Sequence, residues 1–257
     1  MLRLLLLLAL LASGPAAGQV RLLGLTAEGG DFRAELSDGR VLHGAGLVGA
    51  VLELDSTELR IEAARRDEGV PGARPNAPAE DVWLFRLSLR SRGGDWAEAC
   101  NADPQGERLG MVYPGEDGGL RLTCSSGAIG KCIRFGYRPW AATAGGVPLA
   151  PYHAACVNMV RAAYGGPERA WTRDGMRIDI YDRIGIQHPA NEPDAAFEAG
   201  WTPAGAVCVA HVRVPENGSL ADVAAAVPAL AGRTGAGCTE ERAVALGALV
   251  LNRSVPH

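Results

Sequence analysis

Six cysteines constrain this chain more than any other feature. They stand at Cys100, Cys124, Cys132, Cys156, Cys208 and Cys238, with none earlier. An even set suits a disulfide framework, provided the compartment is oxidising. No CxxC or HExxH pattern occurs, so no preformed zinc centre is expected and no metal or cofactor is assigned. The opening stretch, MLRLLLLLALLASGPAAGQV, speaks to the compartment. One arginine precedes an apolar run over residues 4–12, and small residues end at Ala16, Ala17 and Gly18. That order predicts a signal peptide over 1–18, cleaved after Gly18. The run is shorter than the roughly 20 residues that span a bilayer. No later stretch reaches that length, so no stable membrane span is expected. The expected location is the periplasm or the exterior.

In that setting the string CSSGAIGKCIRFGYRPW (124–140) admits two readings. Cys124 could open a helix as a nucleophile, its thiol acidified by Lys131 and Arg134. His153 would then be the base and Asp179 or Asp182 the orienter. With five companion cysteines, a disulfide is the simpler fate. Six cysteines allow fifteen pairings, and the sequence selects none. One set that would tie neighbouring elements is Cys132 to Cys156, Cys208 to Cys238 and Cys100 to Cys124. Loops of this length would give roughly 3–4 kcal/mol per bridge by restricting the unfolded chain.

Net charge is −4, and the adjacent Arg65 and Arg66 are followed at once by Asp67 and Glu68. Binding to a phosphate backbone favours a concentrated positive face, so no nucleic-acid partner is expected. GGVPLAP lacks the lysine and spacing of a phosphate loop.

The pattern predicts an α+β fold, an antiparallel β-rich N-terminal unit followed by a mixed disulfide-stabilised domain. The first unit is placed at 19–75. Residues 20–25 and 31–36 read as strands, and Asp38-Gly39 as a hairpin turn. VLELD and TELRIEA form a second pair, with Leu59, Ile61 and Ala63 facing inward. Residues 67–80, with three prolines, read as a loop. VWLFRLSLR is a strand with Trp83, Phe85, Leu87 and Leu89 on one face. LGMVYP and LRLTC are short strands, and GAIGKCIRFG is a short helix weakened by its glycines.

Residues 151–166 carry the strongest helical pattern, with Tyr152, Cys156, Met159, Val160 and Ala163 on one stripe and Gly165 as the stop. His153 lies off the centre of that stripe. MRIDIYD reads as a strand, QHPANEPDAAFEAG as a polar loop, and AVCVAHVRV as a strand carrying His211. Ser219 with Asp222 predicts a capping box, and Thr239 caps a last helix reaching Leu249.

Asp179 and Asp182 are a second catalytic option, since two carboxylates can activate water. Arg134, Arg138, Trp140, Arg161, Tyr164 and Trp171 could line a groove for an extracellular or cell-envelope carbohydrate or peptide. They could equally pack their apolar parts and leave the charged heads in water.

The strings CSSGAIGKCIRFGYRPW, HAACVNMVRAAYGG, WTRDGMRIDIYDRIGIQ and FEAGWTPAGAVCVAHVRVPEN, in that order, resemble the bacterial ADYC domain family. The resemblance spans about 95–250 and implies an exported protein, without implying an activity. The naming motif falls at Ala162-Ala163-Tyr164-Gly165, where Ala163 replaces an aspartate and Gly165 a cysteine. Chemistry that depended on either residue would be lost here. The expected role is binding or structural, with an extracytoplasmic hydrolase as the alternative.

Overall fold

A computed structural model of the chain describes residues 20–54, 56–68, 81–91, 93–190 and 192–256. The leader and most of the proline-rich loop lie outside the described residues.

Among the described residues, three antiparallel sheets and four short α-helices stack in layers. The first sheet is β1 (Leu22–Glu28), β2 (Asp31–Leu36) and β3 (Val41–His43), in that order. The second contains β4 (Val51–Leu54), β5 (Thr57–Arg66), β6 (Trp83–Ser91), β7 (Ala97–Glu98), β8 (Leu109–Pro114) and β9 (Leu120–Cys124). Its order is β4-β5-β6-β8-β9, with β7 also on β6. This sheet takes β4 and β5 from before residue 75 and the other strands from after it. Two helices follow, α1 (Ala128–Arg134) and α2 (Ala150–Arg161). The third sheet contains β10 (Ile178–Asp182), β11 (Ala196–Thr202), β12 (Gly205–Val209) and, after α3 (Leu220–Ala226) and α4 (Glu240–Ala245), β13 (Val250–Ser254). Its order is β10-β13-β11-β12.

The alternation of β2, β5 and β6 explains the first layer. Phe32, Ala34, Leu59, Ile61, Phe85 and Leu87 are buried together between the first two sheets. Phe32 meets Phe85 edge to face, 4.9 Å between centroids. The first sheet joins the second at Gly30, whose amide donates to Asp81 O and whose carbonyl accepts from Trp83 N, both at 3.0 Å. A Cβ on Gly30 would lie 2.8 Å from Val82 Cα, so only glycine permits this approach. The far face of the second sheet, with Val82, Leu84 and Met111, packs on Ile133 of α1. Beyond α1 lies α2, and α2 covers the third sheet through Met159, Ala199, Trp201 and Val250. α4 closes that sheet's other side around Cys208, Leu251 and Ala243.

The three bridges are Cys100–Cys124, Cys132–Cys156 and Cys208–Cys238. They tie the segment after β7 to β9, α1 to α2, and β12 to the residue before the α4 cap. Ser219 and Asp222 form the capping box of α3, and Thr239 Oγ1 accepts from Arg242 N at α4.

Several expectations need correction. Ala63 is exposed, because the β5 register on β6 shifts between Ile61 and Ala63 and reverses the alternation. α2 ends at Arg161 rather than near Gly165. Ala162 adopts the left-handed conformation there, with φ 47°, and its amide caps Met159 O. His153 is buried, because α2 is covered on two sides and its buried face is wider than one stripe. The final residues of the supposed polar loop 187–200 form β11, a central strand with Glu198, Ala199 and Gly200 buried. The last helix stops at Ala245, and β13 follows it into the middle of the sheet. His211 lies just past β12, its Nε2 3.0 Å from Ser254 Oγ.

Candidate functional site

The thiol arrangement is not assembled. Cys124 is bonded to Cys100, and none of the six cysteines is free. His153 Nε2 lies 3.4 Å from Ile129 O. A carbonyl only accepts, so Nε2 carries the proton and the imidazole is tied to α1. Burial pushes this histidine down to about 4, against the Ile129 hydrogen bond, so it is neutral at ordinary pH.

The two aspartates do not converge either. Three residues apart on β10, Asp179 and Asp182 point to opposite faces of the strand. Asp182 is fully engaged. Its Oδ1 accepts from the amides of Ile184 and Gly185 at 2.8 Å and Ile186 at 3.2 Å. Its Oδ2 accepts from Gln187 N at 2.8 Å and from the Tyr137 hydroxyl at 2.7 Å. This carboxylate organises the turn after β10. Asp179 Oδ1 accepts from Ala190 N at 2.8 Å.

The six residues considered for binding separate into structural posts and cleft walls. Arg134 is buried against Asp67, with three hydrogen bonds of 3.1–3.2 Å joining α1 to the segment after β5. Tyr164 and Trp171 are core residues, and Tyr164 stacks on Trp201 at 5.4 Å. The Tyr164 hydroxyl donates to Glu198 Oε1 and accepts from Arg213 N, both at 3.1 Å. Glu198 and Arg213 form a buried ion pair at 2.9 Å. Arg213 also donates to Val160 O and Met159 O, and Asn252 Nδ2 donates to Glu198 at 2.8 Å. Burial alone would raise the Glu198 carboxyl. Arg213 and the hydrogen bonds outweigh it and hold the carboxyl below its ordinary value. The network fixes the end of α2 to β11 and β13.

At Gly165, where the motif has cysteine, a Cβ would lie 2.7 Å from Val227 Cγ2. Any side chain there would have to displace Val227. The six cysteines close their three bridges without a partner at this position.

Trp140 lines the candidate site. A cleft of about 610 Å³ lies between the β8–β9 hairpin and the start of α2. The hairpin supplies Tyr113, Pro114, Asp117 and Arg121, the α1–α2 connection supplies Pro139 and Trp140, and α2 supplies Ala150 and His153. Trp140 is held in place, its indole Nε1 donating to Asp81 Oδ2 at 2.8 Å. The other Asp81 oxygen accepts from Arg138. Arg138 therefore supports the cleft from behind. Burial raises the Tyr113 hydroxyl, with Arg121 opposing, so it remains a neutral donor and acceptor. The hairpin turn is set by Asp117, which accepts from Gly119 N at 3.0 Å and from Arg121 at 2.7 Å.

Such a wall offers half-buried aromatic surface, one neutral imidazole and a charged rim, suited to a neutral or weakly polar ligand. Sequence reasoning singled out Trp140 and His153 and missed Tyr113, Asp117 and Arg121. PGEDGG between two short strands signals a hairpin, but nothing in it says that the hairpin folds over α2.

Arg161 stands away from this cleft, near the other end of α2, where its side chain donates to Pro167 O at 2.7 Å. Among the described residues, no three His, Cys, Asp or Glu side chains come together to hold a metal ion. No described helix is long and apolar enough to cross a membrane.

The family described as the ADYC domain matches residues 39–215, more than half of the chain and all of the cleft. Comparisons with curated proteins and with solved structures return no match.

Proposed function

The chain belongs to the ADYC domain family, and from that premise we propose that it is an exported binding protein whose ligand is a carbohydrate of the cell envelope or its surroundings. The expected leader over 1–18 and the three closed disulfides support export, since disulfides persist in oxidising compartments. The expected division, a β-rich unit over 19–75 and an ADYC-like domain over 95–250, belongs to the same reading. The periplasm or the exterior is then the site of action.

The observation that carries the reading is the Tyr113–Trp140 wall, with Trp140 fixed through Asp81. A sugar ring presents one apolar face and a rim of hydroxyls. A half-buried aromatic face covers the first, and Asp117, Arg121 and Tyr113 can exchange hydrogen bonds with the second. Three observations support binding without turnover. The one imidazole is neutral and engaged by α1, and the candidate carboxylates Asp179 and Asp182 sit on β10, outside the cleft. Of the two carboxylates that do line it, Glu116 and Asp117, Asp117 is engaged in its own turn by Gly119 N and Arg121.

Calorimetry with a panel of neutral oligosaccharides, and a parallel panel of short peptides, tests this. At least one oligosaccharide is expected to bind, with Tyr113→Ala weakening it at least tenfold. Binding confined to the peptides, or indifferent to Tyr113→Ala, would overturn the carbohydrate reading.

A further inference from the structure

A second concavity lies by the far end of α2 and has a different chemistry. Its volume is about 440 Å³, and its wall joins α1, the last turn of α2 and the loop leading into β10. Lys131 comes from α1, Arg161 from α2, and Arg173 and Arg177 from the loop. Asp174 is the one carboxylate on this wall. A chain with net charge −4 thus gathers four cationic side chains from three segments around one depression. Arg213 also reaches the wall, but its charge is matched by Glu198.

The four cations are not equally committed. Arg177 pairs with Glu192 and Asp194, and Arg173 lies 3.9 Å from Glu216. Lys131 and Arg161 make no ion pair among the described residues, and Arg161 uses one N–H on the Pro167 carbonyl. Both are half-buried rather than fully in water. Two uncompensated cations in a partly desolvated concavity focus positive potential, because the low-dielectric walls weaken solvent screening. The Thr172 hydroxyl lies on the same wall, with its hydrogen donated to Arg173 O at 3.3 Å.

We propose that this pocket is an oxyanion site that takes a phosphate- or carboxylate-bearing ligand, with Lys131 and Arg161 as the principal contacts. Arg173 and Arg177, each already near a carboxylate, set the rim. The site is separate from the aromatic cleft and does not depend on what that cleft binds. On α2, about 1.5 Å of rise per residue puts Arg161 roughly 12 Å along the axis from His153.

The test is an amide-resolved NMR titration of the folded, oxidised protein at fixed ionic strength. Inorganic phosphate and succinate are the two probes, and chloride is the control. Saturable shifts at Ala128, Lys131, Thr172 and Gly175 are expected, with at least fivefold weaker binding in Lys131→Gln. Tighter saturation by phosphate assigns a phosphoryl ligand, and tighter saturation by succinate a carboxylate. Arg173→Gln, at an exposed rim position, is expected to weaken binding less than Lys131→Gln and serves as the second variant. Shifts linear in probe concentration, shifts reproduced by chloride, or affinity unchanged in both variants would overturn the proposal.

Discussion

Replacing Arg213 with methionine should expose how much of the fold hangs on one buried charge. The Arg213 side chain is 1% exposed and that of Glu198 is fully buried. Removing one member of such a pair leaves a charge with no counterion, a cost of about 3–5 kcal/mol. Val160 O also loses its Arg213 donor, which adds about 1 kcal/mol where water cannot replace it, while Met159 O keeps the Ala162 amide. Non-reducing urea unfolding at pH 7, followed by far-UV circular dichroism, should therefore show a loss of at least about 3 kcal/mol.

The pH dependence makes this prediction sharper. In the wild type the Glu198 carboxyl is held below its ordinary value. The unfolded chain then takes up protons first as pH falls, so this group's contribution is present above the ordinary carboxyl range and lost below it. Without Arg213, burial dominates and the carboxyl moves up. The folded variant then takes up the proton first and gains relative stability on acidification. The gap between wild type and Arg213→Met should narrow from pH 7 to pH 5. The double variant Arg213→Met/Glu198→Leu should recover about 2 kcal/mol or more relative to the sum of the singles. A single-variant loss under about 1 kcal/mol, or strict additivity, would refute the reasoning.

His153, pushed down to about 4 by burial, gives a second pH effect. The unfolded chain binds the proton first, so stability falls between about pH 6.5 and pH 4, by up to about 3 kcal/mol. Subtracting the profile of His153→Gln should isolate that slope, and parallel profiles would show that the imidazole is not desolvated. Asp182→Ala would strand four backbone amides and the Tyr137 hydroxyl, so a loss of at least about 3 kcal/mol is expected. Oligosaccharide affinity of the folded fraction should not change, which calorimetry would check. Each disulfide removed as a paired Cys→Ser variant should cost roughly 3–4 kcal/mol. Native protein should show no reactive thiol, whereas rapid labelling of Cys124 would contradict the Cys100–Cys124 bridge.

What the sequence discloses is mostly local. The capping box at Ser219 and Asp222, the Thr239 cap and the strand pair around Leu59 and Ile61 follow from near neighbours. That the six cysteines form disulfides follows once the compartment is granted, whereas which of the fifteen pairings forms is read from the structure. Glu198 shows why other elements were hidden. It interrupts FEAGW with a charge, so β11 reads as the end of a polar loop until Arg213, fifteen residues on, is seen to neutralise it. β13 lies past the expected end of the last helix at Leu249 and has no reading from sequence, because VLNRS shows no clean alternation; Asn252 is buried there bonded to Glu198 and Trp201. Ala63 faces outward because of a bulge, which depends on the partner strand. The candidate site had the same fate. Trp140 and His153 were visible as residue types, whereas Tyr113 became a wall only when the hairpin folded over α2.

The central claim is that the Tyr113–Trp140 cleft binds an oligosaccharide without cleaving it. The most direct measurement follows the Trp140 indole N–H by NMR while oligosaccharides of the panel are added, with the ligand afterwards recovered for mass spectrometry. The account predicts a saturable shift of that one indole signal, absent in Tyr113→Ala, and a ligand recovered at its original mass. An indole signal unmoved by every oligosaccharide, or a ligand recovered as fragments, would contradict it.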